Sequence, residues 1–201
     1  MSAPAARPTL VLATHNAHKL EEAGEILAGY EVLALPDDVV LPPEDGATFA
    51  ANAAIKARAA HAATGAAVIA DDSGIEAVAL GGRPGVHSAR YAGPDAGDDQ
   101  NLALLFEEVG AGDDRRVAYV CAIVHIATDG TETVREARCE GTLAAEPRGD
   151  GGFGYDPAFV PVDYGDGRTM AELTPAEKHA ISHRGRALRE IAAALGAGEG
   201  P

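Results

Sequence analysis

Two adjacent carboxylates, Asp71 and Asp72, followed by Ser73 and Gly74, are the residues of this sequence best suited to chemistry. They close the short apolar run 66–70, so chain order predicts a buried strand that ends on a polar turn. Paired carboxylate oxygens suit a hard divalent cation and can orient a water molecule. The same four residues equally suit a plain turn, with Asp71 capping backbone N–H groups and Gly74 at positive φ. A metal site collects more than one carboxylate, and Glu44, in the acidic loop upstream, is the second candidate; its alternative is a solvated loop glutamate.

A second group follows another predicted strand end. Thr14-His15-Asn16-Ala17-His18-Lys19 offers a hydroxyl, an amide, backbone N–H groups at a helix start and an ammonium, the group types that hold phosphate. The alternative is an ordinary helix start with Asn16 as N-cap and Lys19 in solvent. The stretch has no run of glycines, which excludes a P-loop. Lys56, with Arg58 nearby, and Arg90 in Ser88-Ala89-Arg90-Tyr91 could neutralise a polyphosphate, or could serve as helix-face and ion-pair residues.

The third group is Gly151-Gly152-Phe153-Gly154-Tyr155-Asp156-Pro157. Glycines let backbone approach a ligand and Phe153 offers a flat face to a base. Only 4% of the chain is aromatic, so three aromatic residues between 153 and 159 are a concentration; packing of a turn on the core is the alternative. Further on, Lys178, His183 and Arg184 could donate to the oxygen of a 6-oxopurine, where adenine presents a donor instead. They could equally form the capped start of the last helix, with Ser182 as cap.

The elements that must position these groups are those of an α/β protein. Leu10 to Ala13 predicts a strand, and Leu20, Ala23 and Leu27 a helix with Glu21, Glu22 and Glu25 on its solvated side. An extended piece near 32–35 and the Pro-rich acidic loop 36–46 lead into a long alanine-rich helix, about 47–64, ended by Gly65. The stretch 81–97 is a loop long enough to suspect function, and a helix with Leu102, Leu105, Phe106 and Val109 on one face follows. Val117 to Ile126 is apolar at both parities, as in a strand covered on both faces, and Asp129-Gly130 signals a hairpin into the strand 131–139. Gly149 to Asp156 is a glycine-rich loop. The final helix turns Ala187, Leu188, Ile191, Ala192 and Leu195 to the core. The pattern predicts one domain over 1–201 built on a mixed sheet, with 1–8 and 196–201 fraying.

Composition narrows the function. With 201 residues, 46% of them apolar, the chain can bury a sizeable core. Its 16 basic against 31 acidic residues give a net charge of -15, which repels long nucleic acid yet leaves room for a small phosphorylated substrate met through a local basic pocket or a bound cation, or equally serves only to keep the protein in solution. Two cysteines, Cys121 and Cys139, form neither a disulfide framework nor a C-x-x-C site, and fit reduced thiols in a cytoplasm. The sequence has no stretch apolar enough to span a bilayer and no H-E-x-x-H pair for zinc.

Taken in order and spacing, these stretches, with Thr48-Phe49, Asn52-Ala53, Lys56-Ala57, Pro84-Gly85 and Ile181 to Gly185, resemble the Ham1-like family of inosine and xanthosine triphosphate pyrophosphatases over nearly the whole chain. The resemblance implies an elongated mixed sheet flanked by helices, two lobes around a central active-site cleft, and a homodimer. It implies a magnesium-dependent cleavage of ITP, dITP and XTP to nucleoside monophosphate and pyrophosphate. Residue by residue, it makes Thr14, His15, Asn16, Ala17, His18 and Lys19 the triphosphate cradle with Lys56 assisting, Asp72 the general base and a magnesium ligand, and Glu44 a second metal carboxylate. Ser73 becomes a substrate contact, and Phe153, Gly154, Tyr155, Asp156, Lys178, His183 and Arg184 the base-binding set. Two positions depart from the family pattern: His15 stands where many members have glycine, and Ala51 where many have glutamate.

Three other readings fit some of the same residues. One is a pyrophosphatase of the Maf-like group acting on pyrimidine or modified nucleotides. Another is a nucleotide-binding protein without catalysis, which would need no Asp72 and Glu44. The third is an aspartyl-phosphate phosphatase, which would release orthophosphate through a covalent intermediate.

Overall fold

The computed structural model describes residues 7–196. Of the termini expected to fray, 1–6 and 197–201 lie outside the described residues. Within them, Pro8 is tied down, its carbonyl accepting from Glu31 N at 2.9 Å, and Arg7 donates to Ala28 O at 3.2 Å.

Six strands, β1 (Thr9–Leu12), β2 (Glu31–Ala34), β3 (Val68–Ala77), β4 (Arg116–Ile126), β5 (Glu132–Leu143) and β6 (Phe159–Pro161), form a sheet in the order β2-β1-β3-β4-β5-β6. β1 runs parallel to β2 and to β3, whereas β6 is antiparallel to β5, so the sheet is mixed. Among the described residues the α-helices are α1 (Ala17–Ile26), α2 (Phe49–Thr64), α3 (Asp98–Glu108), α4 (Pro175–Ile181) and α5 (His183–Gly196). The α/β class and the mixed sheet with its helices agree with the sequence.

The described chain forms two compact units. The first comprises 7–72, 122–136 and 187–196. Its core joins Val11, Ala13, Val68, Ala70, Val124 and Ile126 to Ala53, Ala57 and Ala60 of α2. Thr48 caps α2, its Oγ1 accepting from Ala51 N at 3.1 Å, and Gly65 ends it at φ 64°, a left-handed conformation in which glycine carries no Cβ penalty. The buried positions of α2 are Phe49, Asn52, Ala53, Lys56, Ala57 and Ala60. They form a single helical stripe, so Asn52 and Lys56 project from the buried face together.

The second unit comprises 73–121 and 137–186. Its core gathers Ile75, Leu102, Leu105, Val117, Tyr119, Cys139, Leu143, Tyr155, Phe159 and Met170. Fully burying a side chain such as Ile75 or Phe159 contributes about 1.5–3 kcal/mol, which makes this cluster the support for every loop that leaves it. Both cysteines are buried thiols.

Three features differ from the sequence reading. β3 does not end at Ala70 but runs through Asp71, Asp72, Ser73 and Gly74 to Ala77; residues typical of a turn stay in the strand because buried partners satisfy them. The stretch 81–97 is not structureless, since 85–90 forms a 3-10 helix. α4 and the short β6 were not foreseen. β6 has three residues, too few for a period, whereas α4 carried a readable signal, Thr174-Pro175-Ala176-Glu177, a capping box with proline at N1.

Candidate active site

Alternation along β3 separates the paired carboxylates, because successive side chains of a strand point to opposite faces. Asp71 Oδ2 meets Lys19 Nζ at 2.9 Å. Asp72 Oδ2 accepts from Asn52 Nδ2 at 2.9 Å, while its Oδ1 lies 3.9 Å from Lys56 Nζ. The same ammonium donates to Glu44 Oε1 at 2.8 Å. Lys56 is thus shared by the two carboxylates assigned to metal. Burial holds the Asp72 carboxyl above the usual carboxylate range, the nearby Glu44 adding to the shift while Lys56, Asn52 and Lys19 oppose it.

The turn into α1 has the N-cap of the simpler reading. Asn16 is the N-cap, its Oδ1 accepting from His18 N at 2.9 Å and Lys19 N at 3.3 Å, and Thr14 Oγ1 accepts from Asn16 N at 3.2 Å. His15, Asn16, Ala17 and His18 are exposed. Lys19 is not the solvated residue of the simpler reading, because its ammonium is committed to Asp71. Asn16 and the helix start together present donors and a positive dipole end.

A hard cation fits the first unit's donor set. Glu44 and Asp72 turn carboxylate oxygens toward one cation already, the Lys56 ammonium. Among the described residues no group of three or more Asp, Glu, His or Cys side chains could hold a metal unaided. Magnesium tolerates this, since it is commonly bound by one or two carboxylates and completes its shell with water and substrate phosphates.

In the second unit Asp156 is the hub. Its Oδ2 accepts from Phe153 N at 3.0 Å and from Lys178 Nζ at 2.9 Å, and its Oδ1 accepts from Tyr119 OH at 3.1 Å. Gly152, at φ 74°, is required here, because a Cβ would fall 2.0 Å from Asp156 Oδ2. The Phe153 ring is flanked by two cations, Lys178 Nζ at 4.9 Å and Arg184 Cζ at 5.7 Å from its centroid. Arg184, 4% exposed, also donates to Ser73 Oγ at 2.9 Å. The His183 ring stacks on Tyr119 at 4.6 Å. α4 delivers Lys178, and Ser182, whose Oγ accepts from Gly185 N at 3.0 Å, opens the turn that delivers His183 and Arg184.

Two residues of the expected base-binding set have inward-facing tasks. The Tyr155 side chain is buried and its hydroxyl donates to Ser88 O at 2.8 Å; burial pushes its pKa up. The Asp156 carboxylate is consumed by Phe153, Lys178 and Tyr119. Gly154 donates its N–H to Asp98 Oδ2 at 2.7 Å. Among the other cations considered, Arg58 is spent on Glu132 in a two-bond pair of 2.7 Å contacts, and Arg90 lines a cavity of about 370 Å³ with Arg83, Pro84, His87, Tyr91 and Pro94.

Sequence reasoning gave no role to Asn52, Tyr119 or the Lys19–Asp71 pair. Asn52 was findable, as a polar residue four positions before Lys56 on the core stripe of an alanine-rich helix. Tyr119 sits inside an unbroken apolar run and had no such signal.

This is an α/β protein with a carboxylate–lysine cluster suited to phosphate and a cation, and an aromatic loop flanked by fixed donors. It belongs to the Ham1 family, whose profile matches residues 10–194. A dITP/XTP pyrophosphatase of Mycobacterium tuberculosis is 50% identical over 195 residues, covering 92% of this chain and 94% of that one. The solved Ham1 protein of Staphylococcus aureus superposes with a TM-score of 0.85 at 37% identity over 95% of this chain and all of that one. A Mycobacterium abscessus structure described as a nucleoside-triphosphatase / dITP/XTP pyrophosphatase gives a TM-score of 0.74 at 44% identity, covering 91% and 98% of the two chains.

Proposed function

We propose that this chain hydrolyses non-canonical purine nucleoside triphosphates, ITP, dITP and XTP, to nucleoside monophosphate and pyrophosphate, clearing them from the nucleotide pool. The observation that carries the reading is the Glu44–Lys56–Asp72 cluster in a chain 50% identical over 195 residues to a relative named for this activity. In the reaction a water oxygen bonds to phosphorus, the α–β anhydride bond breaks, and pyrophosphate leaves with the electron pair. Asp72 orients the attacking water and either takes its proton as general base or holds magnesium, because a carboxylate bound to a metal is a poor base in the same step. Lys56 and Lys19, with the N–H groups at the start of α1, spread the charge of the phosphates.

Magnesium is the proposed cofactor; held by Glu44 and Asp72, it would neutralise phosphate charge and polarise the anhydride. Phe153 offers the base a face, while Lys178, His183 and Arg184 supply donors for the 6-oxygen, with Ser73 a further contact. A site built to donate to the oxygen of hypoxanthine leaves donors unpaired against adenine and rejects it on that ground. We propose a cytoplasmic homodimer; among the described residues no helix is long and apolar enough to cross a membrane.

Product analysis tests the reading. With magnesium, dITP, ITP and XTP are each compared with dATP, dGTP and dTTP. Monophosphate plus pyrophosphate from dITP, ITP and XTP, with little turnover of dATP, dGTP and dTTP, is the expected outcome. Orthophosphate would point to the aspartyl-phosphate route, and preference for pyrimidine or modified bases to a Maf-like activity.

A further inference from the structure

Tyr119 lies in the first half of β4, 6% exposed, and it touches the candidate base site at two points. Its hydroxyl donates to Asp156 Oδ1 at 3.1 Å. Its ring stacks on His183 with centroids 4.6 Å apart and planes 18° apart, and on Phe159 at 4.3 Å and 22°. Asp156 spends its other oxygen on Phe153 N and Lys178 Nζ. A carboxylate gripped at one oxygen cannot turn, so the Tyr119 hydroxyl decides which oxygen Lys178 meets and where the backbone of Phe153 is held. The stack does the same for the plane of the His183 imidazole.

We propose that Tyr119 is a positioning residue for base selectivity, fixing Lys178, Phe153 and His183 through Asp156 and through its ring. The inference rests on the reading of this loop as the base site. Selectivity built on donors depends on their being unable to relax onto the wrong base, and a buried network held from behind meets that need. Burial and the adjoining Asp156 push the Tyr119 pKa well above its ordinary value, so the hydroxyl keeps its proton and remains a donor. Neither the ring nor the hydroxyl is called on to touch the nucleotide.

Tyr119→Phe is the test, because it removes one oxygen and keeps both ring stacks. KM and kcat are measured for dITP and dATP beside the wild type, with a thermal melt of each protein. KM for dITP should rise roughly tenfold with kcat within about twofold, as loss of one hydrogen bond to a charged group implies. The dITP to dATP ratio of kcat/KM should fall by a similar factor. Tyr119→Leu, which also loses the stacks, should lower the ratio further when assayed below its melting temperature. An unchanged dITP KM in Tyr119→Phe, or an equal loss for both substrates, would leave Tyr119 a packing residue and overturn the proposal. Failure of the underlying reading shows separately: the wild type itself would then not prefer dITP to dATP, and this inference falls with it.

Discussion

At the scale of single residues, Asp72 combines a proposed chemical role with an unfavourable position. Its carboxyl titrates above the ordinary range because burial outweighs Lys56, Asn52 and Lys19. A carboxyl raised in the folded state makes folding less favourable once pH exceeds its ordinary value, and the penalty is relieved as pH falls below the raised one. Asp72→Asn should therefore cut kcat by roughly 10³-fold, the scale of losing a general base or an oriented charge, while the melting temperature at neutral pH stays at or above wild type. Steady-state kinetics and a melt at pH 7 check both halves. Near-normal turnover would remove Asp72 from the chemistry, and a large drop in melting temperature would mean that its ion pair, not its burial, governs stability.

At the scale of elements, the supports of the base loop can be weakened from two sides. Gly152→Ala puts a Cβ against Asp156 Oδ2 at a left-handed φ of 74°, and strain of that kind costs about 1–3 kcal/mol. Chemical denaturation should show that loss, and KM for dITP should rise because the same carboxylate fixes Phe153 and Lys178. Thr174→Ala removes the Oγ1 that accepts from Glu177 N at 3.3 Å and should cost about 1 kcal/mol, with a smaller effect on KM, since α4 keeps Lys178 anchored to Asp156. Equal effects of the two variants on KM would mean that α4, rather than the loop, sets the position of Lys178. How far such elements were legible follows the physics of each signal. α1 and α2 were readable from apolar spacing, the cap and Gly65; β4 from its unbroken apolar run. The passage of β3 through Asp71 to Gly74 was not, because Asp71, Asp72 and Ser73 are held by Lys19, Asn52, Lys56 and Arg184, partners remote in sequence. Candidate site residues could be named from type and order, but the division of work among them needed coordinates: Tyr155 faces Ser88, Asp156 is a brace, and Tyr119 was hidden among apolar neighbours.

At the scale of the whole molecule, the boundaries between the two compact units fall inside elements rather than in linkers. The chain passes from one to the other between Asp72 and Ser73 in β3, Cys121 and Ala122 in β4, Glu136 and Ala137 in β5, and Arg186 and Ala187 in α5. Independent domains are normally joined by exposed segments that few contacts cross, and neither unit here is a continuous stretch of sequence. A strand that lost its pairing in one unit would fray directly into residues of the other, since the same strand continues through both. Thermal unfolding should accordingly follow a single transition, with calorimetric and van't Hoff enthalpies in agreement. Adding a nonhydrolysed dITP analogue with magnesium should raise that one midpoint rather than split it, by an increment that grows with the logarithm of ligand concentration. Two resolved transitions, or a ligand that shifts one of two, would show units that fold separately, and the expectation of one domain over the whole chain would then be wrong.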